Sequence, residues 1–229
     1  MDSQKNNHFA TIESVFFNRD ALLVARQLLG KVIRVRQANL WLQARIIETE
    51  AYYLEDKASH ASLGITRSRN ALFMSAGTLY MYYSRGGDSL NFSCQGQGNA
   101  VLIKSGYPVV TDHTDPKAIR LMQTNNPSRA GTLRPIEKLC SGQTLLCKAL
   151  DLRVPDWNGK KLSPGKFELV EDGYIPDQII QTTRLGINPA RDAHLPYRFV
   201  DAHYAKYCTK NPLSVRNWQI GHQYTIFAP

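Results

Sequence analysis

The chain has 229 residues, of which 43% are hydrophobic and 21% are charged, as in an ordinary globular protein with a substantial core. Its 28 lysines and arginines exceed its 19 acidic residues, giving a formal charge of +9, which favours a polyanionic partner such as nucleic acid. No apolar run approaches the ~20 residues of a membrane span, and the four cysteines lack the CxxC spacing of a metal site.

The first predicted helix lies between Asn18, which can cap it, and Gly30, which can end it. Two strands follow at 31–36 and 40–53, and a short polar turn joins them. Residues 54–77 are polar, and we expect them to form a loop.

A third predicted strand at 78–83 leads into the turn sequence of 84–88, which indicates a hairpin with a cationic tip. The remaining predicted elements are strands at 100–103, 167–171, 179–184 and 197–201, and helices at 116–124 and 135–150, the second interrupted at 141–142. Hairpins outnumber crossovers in this pattern. We therefore expect an α+β fold in which helices flank a curved, mainly antiparallel sheet with a protruding hairpin.

No repeat, low-complexity tract or linker divides the chain. We expect one domain over 1–229, in which 1–14 and 205–229 are peripheral. The N-terminus lacks the apolar run of a secretory signal, and the cysteines suggest buried, reduced thiols. We therefore expect an intracellular monomer, located in the cytoplasm or nucleoid if the source is bacterial.

The segment 45–53 is the most informative part of the chain. Side chains of a strand alternate between its two faces. Alternation puts small and apolar side chains on one face, namely Ile47, Thr49 and Ala51. The other face carries two carboxylates and a ring, namely Glu48, Glu50 and Tyr52. Tyr80 and Tyr82 repeat this arrangement on the next strand. A carboxylate beside flat aromatic walls, in a basic chain, indicates chemistry on a nucleobase.

Glu50 is the candidate catalytic residue. A glutamate with an ordinary pKa of about 4.3 is ionised at neutral pH and can take a proton from water. Cleavage of a sugar–base bond passes through an oxocarbenium-like sugar, and in glycoside hydrolysis a carboxylate activates the attacking water. An isolated glutamate is more often a plain surface residue, but Tyr52, Tyr80 and Tyr82 favour a site. Aromatic stacking is worth roughly 1–3 kcal/mol per base, and rings also attract a cationic, alkylated base.

Polar residues near this face could complete a nucleic-acid site. His60 could recognise a base edge, although a lone histidine is more often structural. Four cationic side chains could contact phosphates, namely Arg67, Arg69, Arg85 and Lys104. We do not expect lysine-nucleophile lyase chemistry, because no lysine falls on the predicted site face.

The sequences Glu-Thr-Glu-Ala-Tyr at 48–52 and Gly-Thr-Leu-Tyr-Met-Tyr at 77–82 occur in this order and spacing, followed by Gln-Gly-Gln-Gly at 95–98 and Val-Leu-Ile-Lys at 101–104. With these motifs the chain resembles the alkyladenine (3-methyladenine) DNA glycosylase family over about residues 15–201. The resemblance implies a monofunctional enzyme of base excision repair. Such an enzyme flips an alkylated or deaminated purine out of double-stranded DNA and hydrolyses its glycosidic bond, without a metal or an organic cofactor.

The resemblance also implies roles for individual residues. Glu50 matches the general base that activates the water, and Glu48 is left as scaffold. Tyr52, His60 and Tyr82 match the residues that line the pocket for the flipped base. Asn91 matches a pocket residue that disfavours purines with a 2-amino group, such as normal guanine.

The hairpin tip departs from the family pattern. Family members usually insert a tyrosine there into the minor groove, whereas the segment that begins at Tyr83 is one residue short and has Arg85 nearest that position. Arginine enters minor grooves but is a less rigid wedge, so we expect Tyr83 and Arg85 to hold DNA less firmly. Replacing Arg85 with Tyr is expected to lengthen the residence time on a damaged duplex; an unchanged or shorter time would contradict this hypothesis.

Lys104 is a second departure, because the family often has arginine there. Lysine keeps the charge but loses the planar fork that makes bidentate contacts.

Two other functions remain open at this point. The aromatic residues could serve a non-catalytic binder of modified bases or nucleic acid, although Glu50 argues against a pure binder. The second alternative is an enzyme that acts on modified bases in RNA.

Overall fold

The computed structural model describes residues 9–84 and 86–229. Within this part of the chain the strands form one sheet in which every pairing of strands is antiparallel. The strands are β1 (Ala10–Thr11), β2 (Val32–Gln37), β3 (Leu40–Tyr52), β4 (Leu79–Ser84), β5 (Gly87–Ser93), β6 (Ala100–Pro108), β7 (Phe167–Glu171), β8 (Ile179–Thr182), β9 (Arg198–Asp201) and β10 (Tyr224–Phe227). The predicted α+β class with a mainly antiparallel sheet is confirmed.

The strands follow the order β1-β7-β2-β3-β6-β5-β4, and β9, β8 and β10 branch from β3. The helices are α1 (Ala21–Leu28), α2 (Pro116–Asn125), α3 (Gln143–Ala149) and α4 (Val154–Trp157). The main core includes the buried sides of α1 and α3 and residues from the central strands. No helix in the described residues is long and apolar enough to cross a membrane.

The first helix exists, but its predicted cap was wrong. Asp20, not Asn18, is the N-cap, and its carboxylate accepts from the second and third backbone N–H groups of the helix at 3.0 and 3.2 Å. Gly30 follows the helix with φ of +86°, a conformation that suits glycine. The helix packs on β3, where the Thr49 hydroxyl donates to the Ala25 carbonyl at 2.8 Å. This contact fixes one face of β3 against α1.

β3 organises the site because it connects two parts of the sheet. Its first half pairs with β2 across a two-residue turn, Ala38–Asn39, in which both residues have positive φ. The second half of the same edge pairs with β9, and the opposite edge of β3 pairs with β6. One 13-residue strand therefore carries the segment 48–52 into the middle of the molecule.

Two irregularities interrupt the pairing of β3 with β6. Ile47 is an extra residue on β3, and Lys104 is an extra residue on β6. Such bulges redirect side chains. Ile46 and Ala51 both enter the main core although they lie an odd number of positions apart, so the two faces of β3 exchange at the first bulge. The predicted alternation holds from Glu48 onward.

The predicted helix at 135–150 is confirmed in part. Its first part is a 3₁₀ turn, Ile136–Lys138, and α3 begins after the predicted interruption at 141–142. Residues 205–229 include β10, which among the strands of the described residues pairs only with β8. The four cysteines are unpaired, and burial raises the pKa of each thiol.

Candidate active site

A cavity of about 440 Å³ lies where the ends of β3 and β6 meet the β4–β5 hairpin. The loop around 58–60, the start of α3 and the loop 185–191 complete its walls. Its volume is in the range of pockets that hold small organic ligands. Five predicted site residues line it, namely Tyr52, His60, Tyr82, Asn91 and Lys104.

Glu50 is fully buried directly behind the wall of this cavity. Its Oε2 accepts a hydrogen bond from the Tyr52 hydroxyl at 2.6 Å, and its Oε1 accepts one from the Leu185 backbone N–H at 3.3 Å. The Nζ of Lys104 lies 3.3 Å from the same Oε1. All three partners line the cavity, so the carboxylate lies directly behind residues that form its wall.

Opposing influences act on the pKa of Glu50. Burial is the largest and acts to raise it, but Lys104, the Tyr52 hydroxyl, Arg198 and the Leu185 N–H lower it and together outweigh burial. The pKa of Glu50 is therefore below its ordinary value, and the side chain is a carboxylate at neutral pH. Burial and then Glu50 raise the pKa of Tyr52 well above its ordinary value. Tyr52 therefore stays protonated and donates its hydrogen bond.

An aromatic wall stands beside this carboxylate. Tyr80 and Tyr82 are stacked with ring centroids 5.5 Å apart, and the His60 ring lies 4.5 Å from that of Tyr82. The Nδ1 of His60 is 2.8 Å from the Tyr80 hydroxyl. Partial burial and then Arg69 and Arg191 lower the pKa of His60, so its ring is neutral at pH 7. Flat rings in this arrangement offer a stacking surface for a planar base.

Asn91 and Lys104 both lie in the cavity wall, where each contacts another residue of the site. Asn91 is buried, and its Nδ2 donates to the Tyr80 carbonyl at 3.0 Å. Lys104, which we expected to contact phosphate, instead lies in the cavity wall against Glu50. The expectation that no lysine falls on the site face was wrong, because the bulge in β6 turns Lys104 toward that face.

Arg184 is a site residue that the sequence reasoning missed. Its side chain is fully buried and forms an ion pair with Asp56. Its guanidinium carbon lies 4.6 Å from the centre of the Tyr52 ring, and it donates to the Asp192 carbonyl at 3.3 Å. Arg184 thereby joins Tyr52 to the loop whose Leu185 N–H contacts Glu50. No local pattern in the sequence around residue 184 indicates these contacts, because its partners lie far away in the chain.

Glu48 makes a structural network, as its predicted scaffold role requires. It is fully buried and lies 2.7 Å from both Nε and Nη2 of Arg198. It also accepts hydrogen bonds from the Ser105 hydroxyl at 2.5 Å and from the hydroxyl and N–H of Thr209. Every one of these partners comes from another segment, so the network joins β3, β6, β9 and the C-terminal region.

The other predicted DNA contacts lie beside the cavity. Arg67, Arg69 and Tyr83 line a groove that His60 and Tyr82 also border. Arg69 donates to the carbonyls of residues 63 and 64, so it braces its own loop. Arg67 is exposed, as is 71% of Tyr83. Arg85 lies outside the described residues.

No group of three His, Cys, Asp or Glu side chains that could hold a metal ion occurs in 9–84 and 86–229.

Comparisons with known proteins agree on one family. The family model described as Methylpurine-DNA glycosylase (MPG) matches residues 15–205. A Pseudomonas aeruginosa protein named "Putative 3-methyladenine DNA glycosylase" is 60% identical over 202 residues, which cover 88% of this chain and 84% of the relative. A protein of the same name from Pseudomonas savastanoi pv. phaseolicola is 60% identical over 205 residues, covering 89% and 92%. One from Koribacter versatilis is 34% identical over 199 residues, covering 84% and 90%. The chain belongs to the methylpurine-DNA glycosylase family.

Proposed function

We propose that this chain removes alkylated or deaminated purines, 3-methyladenine among them, from double-stranded DNA by hydrolysing the N-glycosidic bond. Membership of the family makes it a DNA glycosylase, and its relatives' names refer to 3-methyladenine. The observation that carries the finer proposal is a buried, ionised Glu50 behind a cavity with an aromatic wall. Base excision repair is the process that this reaction begins.

The damaged nucleotide leaves the duplex and places its base between the cavity walls, which costs a few kcal/mol of unstacking and is easiest for a damaged base. Tyr82 and His60 present ring surfaces to the base. A cationic base is favoured, because aromatic faces attract cations. We give Asn91, which lines the cavity and donates to the Tyr80 carbonyl, the role of disfavouring a 2-amino group.

Glu50 acts on the sugar side of the bond. A water molecule at the point where Lys104 and Leu185 meet the cavity would lie next to Oε1 of Glu50. Glu50 takes a proton from this water as its oxygen attacks C1′, and the base leaves with the bonding electrons. The negative charge of the carboxylate also stabilises the developing oxocarbenium-like sugar.

The surroundings of the cavity suit a duplex. The groove with Arg67, Arg69 and Tyr83 adjoins the hairpin that carries Arg85, and the chain has a formal charge of +9. Cations beside the opening would contact phosphates and set the position of the duplex without reading its sequence. We expect these residues to support binding by a monomer.

Release of free base from defined duplexes tests the proposal. Separate duplexes would each carry a single 3-methyladenine, 7-methylguanine, hypoxanthine or etheno-adenine, with an undamaged duplex as the control. We expect base release from at least one lesion and none from undamaged DNA. Binding to these duplexes without release of any base would support a non-catalytic binder and overturn the proposal. Release only from RNA would also contradict it.

The pH dependence of the rate is expected to report the ionisation of Glu50. A 7-methylguanine base is already cationic, so its departure needs no added proton. Activity should therefore persist below the ordinary glutamate pKa of about 4.3 and be lost as Glu50 is protonated at lower pH. Replacing Tyr52 with Phe removes a hydrogen bond that lowers the pKa of Glu50, so the acidic limb of kcat/KM should move to higher pH.

Two controls accompany this pH profile. Spontaneous depurination is subtracted with a reaction that lacks enzyme. Folding is followed by circular dichroism, because a lowered Glu50 pKa contributes stability above the ordinary pKa that is lost as pH falls through the lowered value. An acidic limb at the same pH in both proteins would show that Tyr52 does not tune Glu50.

A further inference from the structure

We propose that Leu63 and Ile65 form an apolar wedge that enters the duplex beside the damaged nucleotide and unstacks the neighbouring base pairs. The inference rests on the proposed function, because it gives the same cavity a second element that opens double-stranded DNA. The wedge lies on the loop after His60, and not on the β4–β5 hairpin, where the family resemblance places the inserted residue.

Both side chains of the wedge are exposed. Solvent reaches 57% of Leu63 and 63% of Ile65. In 9–84 and 86–229, the apolar clusters of the protein include neither of them. Single exposed apolar residues are common on protein surfaces, so exposure alone assigns no role. Their position supplies the second observation.

The wedge lies at the edge of the base cavity. Leu63 lines the groove that also contains Arg67 and Tyr83, and Ile65 directly precedes Thr66, which lines it as well. The groove and the cavity share three ring residues, namely His60, Tyr80 and Tyr82. The two depressions therefore adjoin. A duplex that places a base in the cavity brings its neighbouring base pairs to the groove.

Arg69 holds the loop of the wedge in one shape. Its guanidinium donates to the carbonyls of Leu63 and Gly64 at 3.0 and 2.8 Å, and its backbone N–H donates to the Thr66 carbonyl at 3.0 Å. Gly64, with φ of +76°, separates the two apolar side chains. A braced loop loses little conformational entropy when it binds, so it is already prepared for insertion.

The charge of the groove favours DNA over an apolar protein partner. Among the described residues its lining contains Arg67 and Arg69 but no acidic side chain. Arg67 is exposed and lies two positions after Ile65. Cations of this kind contact phosphates, whereas leucine and isoleucine are among the side chains that DNA-bending proteins insert between base steps. The loop thus combines both kinds of contact.

The double variant Leu63→Ser, Ile65→Ser tests the wedge, because serine removes the apolar surface at both exposed positions. Single-turnover base release is measured at saturating protein on two duplexes with the lesion that the wild type releases fastest. One duplex is fully paired, and the other has mismatches on both sides of the lesion, so its neighbours are already loosened. We expect the variant to be about ten-fold slower than the wild type on the paired duplex and within about two-fold on the mismatched duplex.

A second readout reports unstacking without base release. 2-Aminopurine beside a lesion gains fluorescence when it is unstacked, and stopped-flow mixing records this gain before the base leaves. The four lesions of the base-release test are each used in turn. We expect the wild type to raise the fluorescence with at least one of them, and the double serine variant to lose most of that rise.

The matched control is Leu213→Ser combined with Ile175→Ser. These side chains are 54% and 67% exposed, and they line neither the cavity nor the groove. Both rate and fluorescence should equal those of the wild type. Leu63→Met with Ile65→Met keeps apolar side chains and should restore the rate on the paired duplex to within about two-fold of the wild type.

Two results would overturn the wedge. One is an unchanged rate of the double serine variant on the paired duplex. The other is an equal loss on both duplexes, which would mean that the loop holds DNA without opening it. A fluorescence rise that depends on Leu63 and Ile65, without release of any base by the wild type, would support the wedge and contradict the proposed function. Neither rise nor release would contradict both.

Discussion

Replacing Glu50 with Gln is expected to lower the single-turnover rate of base release by about 10²- to 10⁴-fold. Glutamine has nearly the same shape: its carbonyl oxygen can accept from the Leu185 N–H, and its NH2 group can donate to the Tyr52 hydroxyl, which is able to accept as well as donate. It cannot take a proton from water, and it lacks the negative charge that stabilises the sugar cation. The chemical step should therefore be lost while the cavity is kept.

Single-turnover base release and equilibrium binding should both be measured on one damaged duplex. We expect binding of the Glu50→Gln variant to stay near that of the wild type, because Glu50 lies behind the cavity wall and not on the surface that the base contacts. Glu13→Gln serves as the matched control, since Glu13 is exposed and its change should leave the rate unaltered. Base release at the wild-type rate by Glu50→Gln would remove Glu50 from the catalytic role.

The parts of the site that the sequence could predict are those encoded within one strand. Alternation over 48–52 places Glu50 and Tyr52 on one face, and their hydroxyl–carboxylate bond joins residues only two apart. The stacked Tyr80 and Tyr82 follow the same rule within β4. Such local relations depend on the period of a strand, which is a property of the backbone itself.

The unpredicted contacts join residues that are far apart in the chain. Leu185 reaches Glu50 across 135 positions, and Arg184 reaches Asp56 across 128. No local period specifies such contacts. Lys104 is a different case, because its direction depends on a bulge. A bulge depends on the register between two strands, so alternation along β6 alone cannot place it.

The cap of α1 shows a third kind of failure. Asn18 and Asp20 are both good capping residues, and sequence preference hardly separates them. In the structure, the carboxylate of Asp20 also accepts a hydrogen bond from the Tyr53 hydroxyl at 2.7 Å. This contact from the end of β3 supports Asp20 as the cap. Preferences of the residues around the helix start cannot predict it, because Tyr53 lies 33 positions away in the chain.

Replacing Arg198 with Met is expected to lower the free energy of unfolding by about 3–5 kcal/mol, because it leaves the buried Glu48 carboxylate without its charged partner. Both side chains are completely inaccessible to solvent. For a chain of this size the loss corresponds to a fall of roughly 6–20 °C in Tm. Urea unfolding followed by circular dichroism would measure it, with a lower midpoint and an unchanged slope.

Two further variants separate the loss of the ion pair from the loss of a large side chain. Arg153→Met removes an arginine from an exposed pair with Asp151 and should leave the midpoint unchanged, because exposed pairs are screened by solvent. Adding Glu48→Gln to Arg198→Met removes the unpaired charge but keeps an acceptor for Ser105 and Thr209, so the double variant should be more stable than Arg198→Met alone. If it is equally unstable, lost packing and not the buried charge explains the effect.

Arg198 also lowers the pKa of Glu50, so Arg198→Met protein that stays folded should lose base release at a higher pH than the wild type does.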